Sequence, residues 1–163
     1  MIKENMRRTF ADQLLLKMRH DKRTWLLVGD LGYKVFDQHR DEFPDRFLNT
    51  GAAETALLDI AVGLAMSGKI PFVYSITPFL IYRPFEVLRT YINHEKWPVK
   101  LIGSGRDKDY EHDGFSHDAS DVKMFLGLLP NIEEFWPDTK EEIPGILDEI
   151  LTNNKPSFIS LTR

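Results

Sequence analysis

The residues best able to do chemistry fall in two stretches. In residues 49–68, NTGAAETALLDIAVGLAMSG, an acid opens an apolar pattern of helical period. Gly51 can start a helix, which puts Glu54 in its first turn. Unpaired backbone N–H groups and the positive dipole end favour a carboxylate there. Leu57, Ala61, Leu64 and Ala65 follow at helical spacing, so one face of the helix is buried. Ala52 and Ala56 lie beside the acid, with Ala61 and Ala65 further on. Such small side chains let a flat ligand or a partner subunit come close. Taken alone, a first-turn acid often does no more than complement the helix dipole.

The second stretch is the polar loop 103–118, GSGRDKDYEHDGFSHD, with His112 and His117 among Asp107, Asp109, Glu111, Asp113 and Asp118. The histidines are five apart, without the paired spacing of a structural zinc site and without a cysteine, so no metal site is expected here. The GSG glycines lack a following GK[ST] and make no phosphate loop.

The elements that position these groups can be read from the apolar runs. Strands are expected at 25–28, 47–49, 70–74, 99–103, 132–135 and 157–161. Helices are expected at 9–20, with Phe10, Leu14, Leu15 and Met18 inward, and at 54–67, 84–93, 121–128 and 139–151. Strands apolar throughout, alternating with helices, indicate a doubly wound α/β fold: a mainly parallel sheet of about six strands with helices on both faces. Ligands in such folds sit beyond the carboxyl ends of the strands. Those ends carry Asp30-Leu31-Gly32, 49–54, 75–79 and 103–117.

A length of 163 residues with 42% hydrophobic and 28% charged content suits one domain, residues 1–163. A net charge of −4 provides no basic face for nucleic acid. No apolar run approaches the ~20 residues of a membrane span. MIKENMRR has no signal-peptide core. The absence of cysteine fits a reducing compartment, and a cytoplasmic protein is expected.

PDRFLNTGAAE, GLAMSGKIPFVYS, DGFSHD, NIEEFWPD and PSFISLTR, in that order and spacing, resemble the pyrimidine-binding domain of transketolase across about residues 8–163. The resemblance implies thiamine diphosphate as cofactor. Glu54 would hydrogen-bond the pyrimidine ring nitrogen, so that the ring's amino group can take the proton from the thiazolium carbon. That acid must hold or share a proton, which an apolar surround from Leu57, Leu58 and the alanines would favour. Phe79 matches the aromatic that stacks on the pyrimidine, with Tyr82 and Phe85 as alternatives, and Leu31 matches a residue touching the cofactor rings. DGFSH is similar to the D-G-x-T-H element facing the sugar: Asp113 would bond a hydroxyl, and His117 would act on substrate oxygens or shuttle a proton. Arg8 and Arg163 resemble the family's phosphate-binding arginines, and Lys34 falls near the place of an assisting serine. One departure is a histidine usual about twelve residues before His117, which here falls near Gly105.

The family's GDG-and-asparagine element for the diphosphate and its Mg2+ (or Ca2+) does not occur in these residues, nor does its C-terminal domain. The resemblance therefore implies a split enzyme. This chain would work with a separate diphosphate-binding subunit, two copies of each, and could pair with itself when isolated. The expected reaction is transfer of a two-carbon ketol unit between sugars or sugar phosphates. Alternatives are a 1-deoxyxylulose-5-phosphate synthase-like or 2-oxoacid-decarboxylating half-site, or a non-catalytic regulatory subunit that kept the fold.

Overall fold

Short apolar runs become strands and the helices between them return the chain in the same direction, so every strand pair is parallel. The computed structural model describes residues 5–163. Six strands, β1 (Thr24–Val28), β2 (Phe47–Asn49), β3 (Ile70–Ile76), β4 (Lys100–Ser104), β5 (Glu133–Phe135) and β6 (Ser157–Leu161), form one sheet in the order β2-β1-β3-β4-β6-β5. All five pairings are parallel. The central β4 and β6 are buried along their whole length, whereas the edge strands β2 and β5 are three residues each and partly exposed.

Alternation along the strands divides the core in two. Leu27, Val73, Leu101 and Phe158 face helix α3 (Glu54–Met66) and the segment 77–94, meeting Leu57, Leu58, Ala61, Leu88 and Ile92. Leu26, Phe72, Ile102 and Ile159 face the opposite way, toward α1 (Met6–His20) and α7 (Ile143–Thr152). There Phe10, Leu14, Met18, Leu147 and Ile150 complete the layer. Among the described residues no helix is long and apolar enough to cross a membrane.

Several boundaries depart from the sequence pattern. The helix expected at 84–93 is a short α-turn at Phe85–Val87 followed by a π-helical segment, Leu88–His94. Ahead of it lies an unexpected helix, Thr77–Tyr82, beginning directly after β3 with Pro78 in its first turn. Proline is favoured at a helix start and cannot donate further along, so Pro78 opens one helix and Pro84 separates it from the next. A further short helix, Asp37–Glu42, was not foreseen because six residues give too little periodicity. The segment 121–128 is helical only over Val122–Leu126, and 139–151 begins as a 3-10 turn at Lys140–Glu142 before α7. Thr139 and Glu142 form the capping box there. Gly51 does not begin α3: its φ of +71° makes a turn, and the helix starts at Glu54 after Ala53.

His39, in the Asp37–Glu42 helix, is 1% exposed and packs edge-on against Phe36 with ring centroids 5.3 Å apart. Among the described residues neither ring nitrogen makes a hydrogen bond of good geometry, and the nearby Ala11 backbone offsets burial only in part. Burial pushes this imidazole down to about 4 from its ordinary 6.5. The unfolded chain therefore takes up the proton first as pH falls. Stability attributable to this group is intact above pH ~6.5 and declines between ~6.5 and ~4, by roughly 3 kcal/mol in all. Urea unfolding at a series of pH values should show that decline, and His39→Leu should flatten this component of it.

Candidate functional site

The carboxyl ends of β1, β2 and β3 meet around Glu54. The Asn49 carboxamide oxygen accepts from the backbone N–H of Asp30 at 3.1 Å and of Gly51 at 2.9 Å, tying the β1 turn to the approach of α3. Gly29 follows β1, and a Cβ there would sit 3.1 Å from Ser75 Oγ and 3.4 Å from Glu54 Oε1. The missing side chain lets the β1 backbone come close to both groups.

Glu54 is the first residue of α3 and is 2% exposed. Ser75 Oγ, fully buried in β3, donates to Oε1 at 2.9 Å. Arg83 Nη1 donates to Oε2 at 2.7 Å. The expected apolar surround is only half of what the acid meets. Leu57 and Leu58 are fully buried, but Ala52, Ala53 and Ala56 are exposed and both oxygens have polar partners.

Phe79 belongs to the Thr77–Tyr82 helix, and Arg83 continues its helical backbone one residue beyond. Four residues apart, they lie on one side. The guanidinium carbon sits over the Phe79 ring, 3.7 Å from its centroid. The His117 ring packs edge-on against the same phenyl at 4.8 Å between centroids. Glu54, Ser75, Phe79, Arg83 and His117 thus form one connected cluster. Three of the five were expected from sequence. Ser75 and Arg83 were not, although an arginine four residues after an aromatic, in FLIYR, was a usable sign.

The other aromatics are engaged elsewhere. Tyr82 donates its hydroxyl to Asp121 at 2.5 Å and meets Phe125 edge-on at 5.0 Å. Burial, then the bond to Asp121, raises this phenol well above its ordinary pKa. Phe85 likewise packs on Phe125. Both side chains fasten the segment to helix Val122–Leu126, and Phe79 is the ring joined to Glu54 through Arg83. Leu31, half-buried in the turn after β1, packs on the α1-side core and lines a small cavity with Gly32, Tyr33, Phe36 and Asn49.

Of the expected substrate groups, Asp113 and His117 end successive 3-10 turns, Glu111–Asp113 and Phe115–His117, joined by Gly114 at φ +93°. His112 Nε2 lies 3.3 Å from Asp113 Oδ2 and 3.2 Å from Arg163 Nη1, so these three residues are consecutive contacts. Arg163 also donates its backbone N–H to Asp109 at 3.0 Å. Arg8 pairs with Asp12 at 3.0 Å and donates to the Lys34 carbonyl at 3.1 Å, which places Arg8 and Lys34 together. Among the described residues no three potential ligand side chains cluster as a metal site would require.

The departure at Gly105 has a packing cause. Its φ is +87°, and a Cβ would meet the Tyr110 ring at 2.3 Å. Tyr110 is itself held by Arg7 Nη1 at 3.0 Å and by Ser104 Oγ at 3.1 Å. An aromatic ring occupies the space a side chain at 105 would need.

A parallel sheet with helices on both faces, and a buried first-turn acid beyond its carboxyl ends, defines a doubly wound α/β domain. The chain matches the family "transketolase, pyrimidine binding domain" over residues 3–163, and it belongs to that family. It is 26% identical over 161 residues to the putative transketolase C-terminal section of Methanocaldococcus jannaschii, covering 98% of this chain and 51% of that protein. It is 28% identical over 162 residues to the 6-deoxy-6-sulfo-D-fructose transketolase subunit SqwH of a Clostridium species, covering 97% of this chain and 49% of that protein. A solved structure described as a split-gene transketolase, an inactive beta4 tetramer, superposes with a TM-score of 0.87 at 28% identity, covering 98% of this chain and 51% of that one. The chain therefore spans about half the length of the curated relatives it matches.

Gly105→Ala should lower stability by roughly 2–4 kcal/mol, combining left-handed strain with overlap on Tyr110. Thermal unfolding of that variant, alone and with Tyr110→Ala, checks this: the second substitution should recover the overlap part only.

Proposed function

We propose that this chain, as a single domain over residues 1–163, supplies the pyrimidine-binding half of a thiamine diphosphate-dependent transketolase-like enzyme. The observation that carries the reading is Glu54: a carboxyl group 2% exposed at a helix start, anchored through one oxygen by Ser75 and linked to the face of Phe79 by Arg83. A first-turn acid that only complements a dipole has no need of burial, a buried serine donor and an adjacent aromatic face.

These residues fit the cofactor's pyrimidine. Glu54 would hold the proton at the ring nitrogen, Ser75 would fix the carboxyl's orientation, Phe79 would stack on the ring and Leu31 would touch the cofactor from the β1 turn. Thiamine diphosphate, when bound, supplies a nucleophilic carbon and an electron sink for cleaving the bond beside a ketose carbonyl. His117, against Phe79, would move a proton to or from substrate oxygens, a task suited to imidazole. Asp113 would accept from a sugar hydroxyl. Arg8, Lys34 and Arg163 would meet a substrate phosphate, the arginines through planar two-point contacts.

The diphosphate and its Mg2+ (or Ca2+) would be held by a separate subunit, in an assembly of two copies of each chain in the cytoplasm. The outer face of α3 supports such an interface. Ala56, Ile60, Gly63 and Met66 are exposed there, with exposed Ala52 just ahead of the helix, and a Cβ on Gly63 would meet nothing within 4 Å. Nothing among the described residues requires that helical glycine, which costs about 1 kcal/mol relative to alanine. The solved relative described as an inactive tetramer of one chain supports the view that such a half self-associates without turnover when isolated.

Calorimetry on the isolated chain should show thiamine diphosphate binding weaker than a Kd of about 10 µM, roughly 7 kcal/mol. Tighter binding would contradict the divided site. In the enzyme assembled with its diphosphate-binding subunit, Glu54→Gln should lower turnover by about 10²–10⁴-fold with assembly intact. Deuterium exchange at the thiazolium carbon of bound cofactor, followed by NMR, should slow with it. Unchanged exchange would reduce Glu54 to a helix-start acid.

A further inference from the structure

We propose that Arg83 is a built-in stand-in for the cofactor's ring: in this chain its guanidinium fills the place between Glu54 and Phe79 that the aminopyrimidine takes, and it must swing out for loading. The inference rests on the assignment of Glu54 and Phe79 given above.

The seat for an aminopyrimidine has two requirements, a hydrogen-bond partner at the ring's edge and a flat apolar face to stack on. A guanidinium meets both, being planar with donors around its rim and weakly hydrated on its faces. Arg83 satisfies both at once. Nη1 is 2.7 Å from Glu54 Oε2, and Cζ is 3.7 Å from the Phe79 centroid. That height is a stacking distance, well inside the ~6 Å within which a cation is attracted to a ring. Two planar groups cannot share the volume above one phenyl face while reaching the same carboxylate oxygen. His117 packs against the same ring at 4.8 Å, so an incoming flat group has to displace the imidazole or the guanidinium. Only the guanidinium also holds Oε2.

The two partners of Glu54 differ in freedom. Ser75 is fully buried within β3 and keeps Oε1 in place. Arg83 sits at the end of its helix with a side chain 44% exposed, so it can turn into water without stranding its charge. Departure of the guanidinium frees Oε2, the oxygen that a ring edge must reach, while Ser75 still holds Oε1. Until then the ion pair spares the empty seat an uncompensated buried charge. Loading is thus an exchange of one planar hydrogen-bonding group for another at Oε2.

The test uses the full chain and 4-amino-2-methylpyrimidine, the ring portion alone, titrated by ligand-observed NMR against the native chain, Arg83→Ala and Arg83→Gln. Glutamine keeps a polar partner for Glu54 yet is too short to lie over Phe79, so it serves if the alanine variant does not fold. Near-UV circular dichroism of the tryptophans confirms the fold of each. The expected result is at least tenfold tighter binding in the variants, abolished by adding Phe79→Ala, with millimolar guanidinium chloride competing. Equal or weaker binding than in the native chain overturns the stand-in role while leaving the seat assignment intact. Binding by neither native chain nor variants, or a gain that survives Phe79→Ala, overturns both.

Discussion

A carboxylate held out of water at a helix start governs the carboxyl end of this sheet. Burying such a charge costs several kcal/mol unless it is paired and hydrogen-bonded. Here three elements converge to meet that cost: the first turn of α3, Ser75 of β3 and Arg83 beyond the helix that follows β3. The register of the sheet makes the convergence possible. Val28 pairs with Tyr74, so the next residues, Gly29 and Ser75, lie side by side, and a Cβ at position 29 would crowd the Ser75 hydroxyl that holds the carboxyl group.

The helix Thr77–Tyr82 connects this acid to the rest of the molecule. One side of it, with Arg83 beyond, presents Phe79 and the guanidinium to Glu54, while Tyr82 reaches Asp121 and Phe125 on the next helix. At its start Thr77 Oγ1 donates to the Gly105 carbonyl at 2.6 Å, tying the site to the loop after β4. That loop carries Asp113 and His117, and His117 returns to Phe79. The acid, the aromatic face and the polar loop are therefore one mechanically linked unit.

The same loop marks where this chain parts from the family pattern. Gly105 lies in the left-handed region under the Tyr110 ring, and Arg7 and Ser104 hold the Tyr110 hydroxyl. The space a side chain at 105 would need is filled by that ring. The polar groups near it are instead the contact series Asp113, His112 and Arg163.

Local chemistry made much of this legible in the sequence. Apolar strand runs separated by amphipathic segments suffice for a parallel doubly wound fold, because period and length reflect burial directly. Glu54, Phe79 and His117, named from motif order and spacing, fall in one connected cluster through Arg83, whereas Asp113 meets His112 instead. The partners of Glu54 were not readable. Ser75 looks like the polar end of a strand and Arg83 like a surface cation, and only the register of β1 against β3 and the helical course of 77–83 aim both at one carboxyl group. The interruption at Pro84, the π-helical turn after it and the Tyr110 ring over Gly105 are likewise decided by tertiary packing. Each depends on which distant side chain fills a given volume, and sequence spacing carries no record of that.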